Sequence, residues 1–208
     1  MNYELGTRFR IGRFNGEAVA FYNDYSNLLG SDIAATGGTG SLDQFNAGEV
    51  DVNGLELLVN YNLVKPESKI AIPLSFGYTF TNTEFKNSFG SDNDIWGEVT
   101  AGDELPYIPR HQFNASISIE HEKYQINMNG RYNGEFRTMA GSGSIPSNEL
   151  VPLNFIVDLS GKYFINQKFG VTLNIINLFD NTYAASRVPA GLRPGHPFGI
   201  YGGFQLML

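Results

Sequence analysis

Ile70-Ala71-Ile72-Pro73-Leu74-Ser75-Phe76-Gly77-Tyr78-Thr79-Phe80-Thr81 is the stretch on which the reading of this chain turns. Ile70, Ile72, Leu74, Phe76, Tyr78 and Phe80 fall on every second position, and Ala71, Pro73, Ser75, Gly77, Thr79 and Thr81 fill the places between. A period of two places the two sets on opposite faces of an extended strand. The small-residue set carries none of the Lys and Glu that cover an ordinary solvated sheet. One face is strongly apolar, and the other is polar but nearly uncharged.

The same alternation recurs outward from this point. Tyr3, Leu5, Thr7, Phe9 and Ile11 alternate with Glu4, Gly6, Arg8 and Arg10. Ala115, Ile117 and Ile119 alternate with Asn114, Ser116, Ser118 and Glu120, and Tyr124, Ile126, Met128 and Tyr132 with Gln125, Asn127, Asn129 and Arg131. Val171, Leu173 and Ile175 repeat it, as do Phe204, Leu206 and Leu208. About nine segments pass this test, near 3–12, 16–29, 47–64, 69–85, 110–122, 124–137, 151–164, 169–179 and 198–208. The 47–64 segment changes parity around Asn53-Gly54, which predicts a β-bulge there.

Composition narrows the function classes. Fourteen Lys and Arg against 21 Asp and Glu give a net charge of −7, which argues against nucleic-acid binding. No cysteine is present, so disulfides, thiolate metal sites and cysteine nucleophiles are excluded together. The three histidines, His111, His121 and His196, are too scattered for a metal cluster. No stretch approaches the ~20 apolar residues of a spanning helix. A membrane β-barrel needs only ~10 alternating residues per strand and stays open.

The connections decide between a barrel and a soluble sandwich. Tight turns near 13–16, 65–68, 122–123 and 166–168 alternate with long loops over 30–46, 86–109, 138–150 and 180–197. Short turns on one rim and long loops on the other are the layout of an outer-membrane barrel. Segments of 10–17 residues also exceed the ~5–6 of globular strands. Aromatic residues near segment ends (Tyr3, Tyr22, Tyr25, Phe80, Phe85, Tyr132, Phe136, Tyr163 and Phe164) fit interfacial girdles. An antiparallel all-β transmembrane barrel is therefore expected, with a half-buried soluble sheet as the competing architecture.

Four motifs resemble one family, the TonB-dependent outer-membrane transporters. Asn177-Leu178-Phe179-Asp180-Asn181-Thr182-Tyr183 is similar to that family's N-L-F-D-x-x-Y run at the outer end of the penultimate strand. Gly191-Leu192-Arg193-Pro194-Gly195-His196-Pro197 resembles the segment leading into its last strand. Asn46-Ala47-Gly48-Glu49-Val50 with Gly54-Leu55-Glu56-Leu57, and Leu105-Pro106-Tyr107-Ile108-Pro109-Arg110-His111, resemble two earlier strand entries. The four stand in the family's order and cover essentially the whole chain, with the ferric-citrate type the nearest in flavour.

The resemblance implies a 22-stranded barrel, of which residues 1–208 would supply about nine C-terminal strands with long extracellular loops and short periplasmic turns. A 22-stranded barrel at ~23 residues per strand and loop needs roughly 500 residues, so the chain reads as a partial barrel domain without plug or signal peptide. Family members commonly end in an aromatic residue, whereas this chain ends Gln205-Leu206-Met207-Leu208.

The implied function is import of an iron chelate, ferric citrate or a siderophore, across the bacterial outer membrane. The expected partners are the ferric chelate, the lipid bilayer, and the inner-membrane TonB complex acting through the absent plug. An anionic chelate calls for guanidinium forks and aromatic walls. Parity turns Arg110, Arg131 and Arg137 inward if Ile117 and Tyr124 face lipid, and Arg187, Arg193 and Trp96 lie in long loops. Pairing of the lumen arginines with acids of neighbouring strands is the plainer reading of each. His111 and His196 read as loop-packing residues. No cofactor is expected, and Asp92-Asn93-Asp94 and Asp103-Glu104 match no calcium loop. No G-x-S-x-G, H-E-x-x-H or P-loop is present, which argues against an enzyme. A free-standing porin or adhesin barrel, and a soluble carbohydrate-binding β-domain, are the alternative readings.

Overall fold

The computed structural model describes residues 1–27, 48–90, 98–187 and 191–206, and every regular element among them is a strand. The first half holds β1 (Asn2–Ile11), β2 (Phe14–Tyr25), β3 (Val50–Asn62), β4 (Ile70–Ala71), β5 (Pro73–Phe85), β6 (Phe89–Gly90), β7 (Glu98–Val99) and β8 (His111–His121). The second half holds β9 (Tyr124–Asn133), β10 (Phe136–Arg137), β11 (Leu150–Val151), β12 (Asn154–Phe164), β13 (Phe169–Ile176), β14 (Ala184–Ser186), β15 (Arg193–Pro194) and β16 (Gly199–Leu206).

Nine long strands form one meandering antiparallel sheet in the order β1-β2-β3-β5-β8-β9-β12-β13-β16, with β4 adding to β8. β1 and β16 each have a single neighbour in this sheet, so among the described residues the barrel is not closed. The expected 69–85 strand is divided at Ile72 because Pro73 has no N–H to give the ladder. Its register is continuous across the break: Ala71 faces Glu120 and Leu74 faces Ile117.

Tight connections follow from local chemistry. Ile11 pairs directly with Phe14, so the first hairpin turns on Gly12 and Arg13, two positions before the 13–16 turn expected from sequence, with Gly12 at φ 59°. The Asn166 carboxamide oxygen accepts from Lys168 N and Phe169 N, both at 2.9 Å, and so closes the β12–β13 turn.

Registers assign every strand residue to a face. Leu55, Leu57 and Val59 of β3 share one face with Leu74, Phe76, Tyr78 and Phe80 of β5. Ala115 and Ile117 of β8, Met128 of β9 and Leu159 of β12 continue it. Leu5 and Phe204 on this face are each 80% exposed, so among the described residues no segment covers it. A contiguous exposed apolar face of this kind marks a membrane or partner surface. The opposite face presents Asn60, Ser75, Ser116, Asn129 and Asp158 along one row and Ser118, Asn127 and Ser160 along the next. Val19 and Leu58 are apolar exceptions on it.

No bulge occurs at Asn53-Gly54: β3 pairs without interruption from Val50 to Asn62 on both sides. The parity change has another cause. Val50 and Val52 lie on the polar-face parity, but there the long loops fold back over the strand ends. Val50 (0% exposed), Phe85 (0%), Val99 (2%) and Leu105 (4%) form a small core with Val52, Phe89, Ile108 and Ala140 packed on it. Each such burial is worth roughly 1.5–3 kcal/mol. Above the sheet's apolar band the inside is therefore dry and the outside wet, so the hydrophobic side of the strand switches. The aromatic girdle is corrected accordingly. Phe85 is a core residue on the face opposite Phe80, and Tyr25 and Phe164 also lie on the polar-face parity.

The long loops carry short strand pairs of their own: β6 with β7, β10 with β11, and β14 with β15. Sequence periodicity did not separate them: the expected 124–137 segment ran through Phe136-Arg137, but the chain leaves the main sheet after Asn133.

Candidate functional site

The chemistry-bearing residues collect where the polar face meets the folded loops. Gln112, Asn133 and Asn154 stand opposite one another on β8, β9 and β12. Gln112 Nε2 donates to Asn133 Oδ1 at 3.0 Å, and Asn133 Nδ2 reaches Asn154 Oδ1 at 3.5 Å. The next row down holds Asn114, Arg131 and Ile156. Lower still, Asn127 Nδ2 donates to Ser118 Oγ at 2.7 Å. This face is lined largely by amides and hydroxyls, with Glu56 and Glu120 among its charged residues.

Arg131 lies on the polar face as parity requires and donates from Nη2 to Asp158 Oδ2 at 2.9 Å. Asp158 Oδ1 accepts from Asn177 N at 2.9 Å, so this carboxylate ties β9 to the outer end of β13. Arg110 continues the same face one step above Gln112. Its carbonyl accepts from Thr81 N at 3.0 Å, extending the β5–β8 ladder. Arg137 stands outside the main sheet, in β10, and is 3% exposed. Arg187 Nε donates to Leu150 O at 3.2 Å and so ties the loop after β14 to β11. Arg193 is exposed in β15. Trp96 and Asp92-Asn93-Asp94 lie outside the described residues.

Glu104 joins two of these arginines, a partner that sequence reading did not single out. Its carboxylate accepts from Arg137 Nε at 3.0 Å and, on its other oxygen, from Arg110 Nη2. Glu104 N donates to Gly141 O at 2.8 Å, and Tyr107 N donates to Arg137 O at 2.8 Å. The loop 98–110 is thus fastened to the loop that follows β10. It is also fastened to β5, through Leu105 N donating to Thr83 Oγ1 at 3.0 Å and Phe85 N to Asp103 O at 2.8 Å. No local period links positions 104, 110 and 137; the meander brings them together.

The Asn177–Tyr183 motif is a staple between strands. Asn177 is fully buried, at φ 50°, and its amide is saturated. Nδ2 donates to Asn181 O and His196 O, both at 3.0 Å, and Oδ1 accepts from Asn181 N at 3.0 Å. Asp180 Oδ1 accepts from Phe198 N at 3.0 Å, and Tyr183 Oη accepts from His196 N at 3.2 Å. A Cβ on Gly195 would sit 1.9 Å from the Tyr183 ring, so only glycine fits against it. His196 and His111 have local roles: the His196 ring contacts Pro197 O and Tyr201 Oη, and His111 Nδ1 lies 2.8 Å from Tyr78 Oη.

On the outer side of the strand tops, Lys86 Nζ lies 3.4 Å from Asp51 Oδ1 and 3.5 Å from Asp24 Oδ1. The neighbouring Asp51 carboxylate holds the Lys86 ammonium above its ordinary pKa, with Asp24 adding to the effect. Among the described residues no three His, Asp or Glu side chains converge in a way that could hold a metal ion. Asp103 and Glu104 are occupied otherwise, Asp103 Oδ2 by Thr100 N at 2.8 Å.

Known proteins share this strand architecture. Residues 1–178 match the family model described as TonB dependent receptor-like, beta-barrel. The catecholate siderophore receptor Fiu of Escherichia coli (strain K12) is 25% identical over 199 residues, which are 93% of this chain and 24% of that receptor. The pesticin receptor of Yersinia enterocolitica is 20% identical over 191 residues, covering 88% and 24%. The chain thus spans about a quarter of the length of these relatives. The crystal structure of the ferric-catecholate import receptor Fiu from E. coli K12, closed form, superposes with TM-score 0.70 at 23% identity over 99% of this chain and 27% of that one. The ferric yersiniabactin uptake receptor FyuA from Yersinia pestis superposes with TM-score 0.71 at 17% identity, covering 99% and 29%. With a family match over most of its length and the same strand architecture, this chain belongs to the TonB-dependent receptor-like β-barrel family.

Proposed function

We propose that this chain is the C-terminal part of the barrel of an outer-membrane receptor that binds and imports an iron chelate, ferric citrate or a siderophore. The observation that carries this reading is the two-faced sheet: an exposed apolar face backed by an amide-and-hydroxyl wall with Arg110 at its upper rim. Lipid satisfies the first face, and a hydrated, anionic cargo suits the second. Family membership and the names of the similar receptors support the cargo class. Two open sheet edges, which lipid does not tolerate, support completion by further strands of a larger barrel.

In this reading the chain contributes the wall and the extracellular loops, and the bilayer is its first partner. Coupling to the inner-membrane TonB complex belongs to a plug domain that these strands would enclose. No catalytic role is assigned to any residue, and no cofactor is invoked.

The test combines product size with iron response. An antibody against residues 98–110 would probe outer-membrane fractions of iron-starved and iron-replete source cells. The expected result is a band several times larger than 23.0 kDa that rises on starvation, with uptake of an iron chelate lost on deletion. A band at 23.0 kDa indifferent to iron would instead support a free-standing porin or adhesin barrel.

A further inference from the structure

The two arginines that share Glu104 are held very differently. Arg137 is buried, and its guanidinium is fixed on three sides. Nε donates to Glu104 Oε2 at 3.0 Å and Nη2 to Gly143 O at 3.1 Å, and Nη1 fills the space against Gly141, where a Cβ would lie 2.6 Å away. The Arg110 side chain is 50% exposed, and among the described residues Nη2 is its one engaged nitrogen, on Glu104 Oε1. A guanidinium presents five donors and grips a planar anion through two parallel bonds. Arg110 therefore stands on the polar face, at the rim, with most of its fork uncommitted.

We propose that Glu104 is a positioning residue that rests on Arg110 as an internal counter-anion, and that an anionic arm of the chelate takes its place on the Arg110 fork. The inference rests on the receptor reading above. Displacement is cheap because Glu104 stays paired. Arg137 keeps Oε2, and the Glu104 backbone stays bonded to Gly141 O. Only one solvent-exposed ion pair is exchanged, and such pairs are weak. A neutral chelate gains nothing from the exchange, so Glu104 sets how strongly negative charge on the cargo is rewarded. A competing carboxylate on the same fork also favours release of the cargo onward.

The experiment measures equilibrium binding of iron-loaded probes to the full receptor in outer membranes. The probes are ferric citrate and a ferric tris-catecholate, both anionic, and a neutral ferric trihydroxamate. The variants are Glu104→Gln, Arg110→Gln and the double variant. Glu104→Gln keeps the shape and an oxygen acceptor for Arg137. It is expected to raise affinity for the anionic probes about three- to fivefold at low salt, a gain that disappears at high ionic strength, with the neutral probe unchanged. Arg110→Gln is expected to weaken the anionic probes alone, and the double variant to match it.

Equal changes for charged and neutral probes would overturn the proposal in favour of a purely structural latch. So would a double variant that keeps the Glu104→Gln gain. Should Glu104→Gln fail to assemble, an Arg110→Gln receptor that binds anionic probes as well as the wild type would overturn it alone. A wild type that binds no iron chelate overturns the receptor reading and this inference with it. A wild type that binds chelates while the variants leave the charged-to-neutral ratio unchanged overturns only the role of Glu104.

Discussion

Replacing Asn177 by alanine tests the staple directly. The side chain, itself fully buried, makes three hydrogen bonds, Nδ2 to Asn181 O, Nδ2 to His196 O and Asn181 N to Oδ1, all at 3.0 Å. At about 1 kcal/mol net per bond the loss is about 3 kcal/mol, with the orphaned carbonyls and amide adding to it. The backbone at φ 50° adds a further cost of about 1 kcal/mol for alanine, since asparagine tolerates the left-handed region and alanine does not. About 4 kcal/mol corresponds to a local opening equilibrium raised by nearly three orders of magnitude, at 1.4 kcal/mol per decade.

The loss is local, so hydrogen exchange followed by mass spectrometry on the detergent-solubilised receptor is the appropriate assay. Peptides covering 177–199 should exchange hundreds of times faster in Asn177→Ala, Phe198 N among them through the neighbouring Asp180 cap, while peptides from β8 and β9 stay unchanged. Asn177→Asp separates the terms. It keeps the acceptor and the backbone preference but points a carboxylate oxygen at two carbonyls, and it should be at least as damaging. An Asn177→Ala protein with unaltered exchange at 177–199 would refute the assignment of this motif as the joint between β13 and β16.

Two further outcomes follow from geometry. Gly54→Ala would place a Cβ 2.0 Å from the Phe80 carbonyl oxygen, and backbone cannot yield there. Gly77→Ala meets only the Asn114 side-chain oxygen at 2.7 Å, which can swing away. Gly54→Ala should therefore abolish assembly of a heat-modifiable barrel, with Gly77→Ala close to wild type; equal behaviour of the two would be contrary to the β3–β5 packing. Lys86→Gln should weaken the joint of β2, β3 and β5 at their upper ends. Because the folded state holds the Lys86 ammonium above its ordinary pKa, its contribution is complete below the unfolded lysine value near 10.5 and fades as pH rises through the higher folded one. Thermal midpoints of Lys86→Gln and wild type should thus differ at pH 7 in low salt and converge in strong alkali; a difference that grows with pH would contradict the sign.

Strands and the faces of their residues were legible in the sequence because a period of two reports on two solvents of opposite kind. Wherever one side of a strand meets an apolar surrounding along its length, as from Leu74 to Phe80, alternation survives and gives the face of every residue. The turn at Asn166 was readable because its side chain caps the next backbone amides, whereas the first hairpin turns on Gly12-Arg13 and not at the 13–16 expected. Arg131 could be placed on the polar face by counting alone.

The upper tier was not readable, and the reason is physical. Above the apolar band the surroundings invert, since the loops supply a dry core inside and water lies outside. Val50 and Phe85 then belong to the face that is polar lower down, and the parity change at Asn53-Gly54 imitates a bulge. Likewise, Arg110, Arg137 and Glu104 carry no mark in sequence that tells an exposed rim arginine from a buried structural one. That distinction is made by exposure, 50% for one side chain and 3% for the other, and by which loops the meander brings together. Local patterning can determine which face of a strand a residue occupies; what lies beyond that face, lipid, water, loop or partner charge, is fixed by chain segments far away in sequence, and only the tertiary structure decides it.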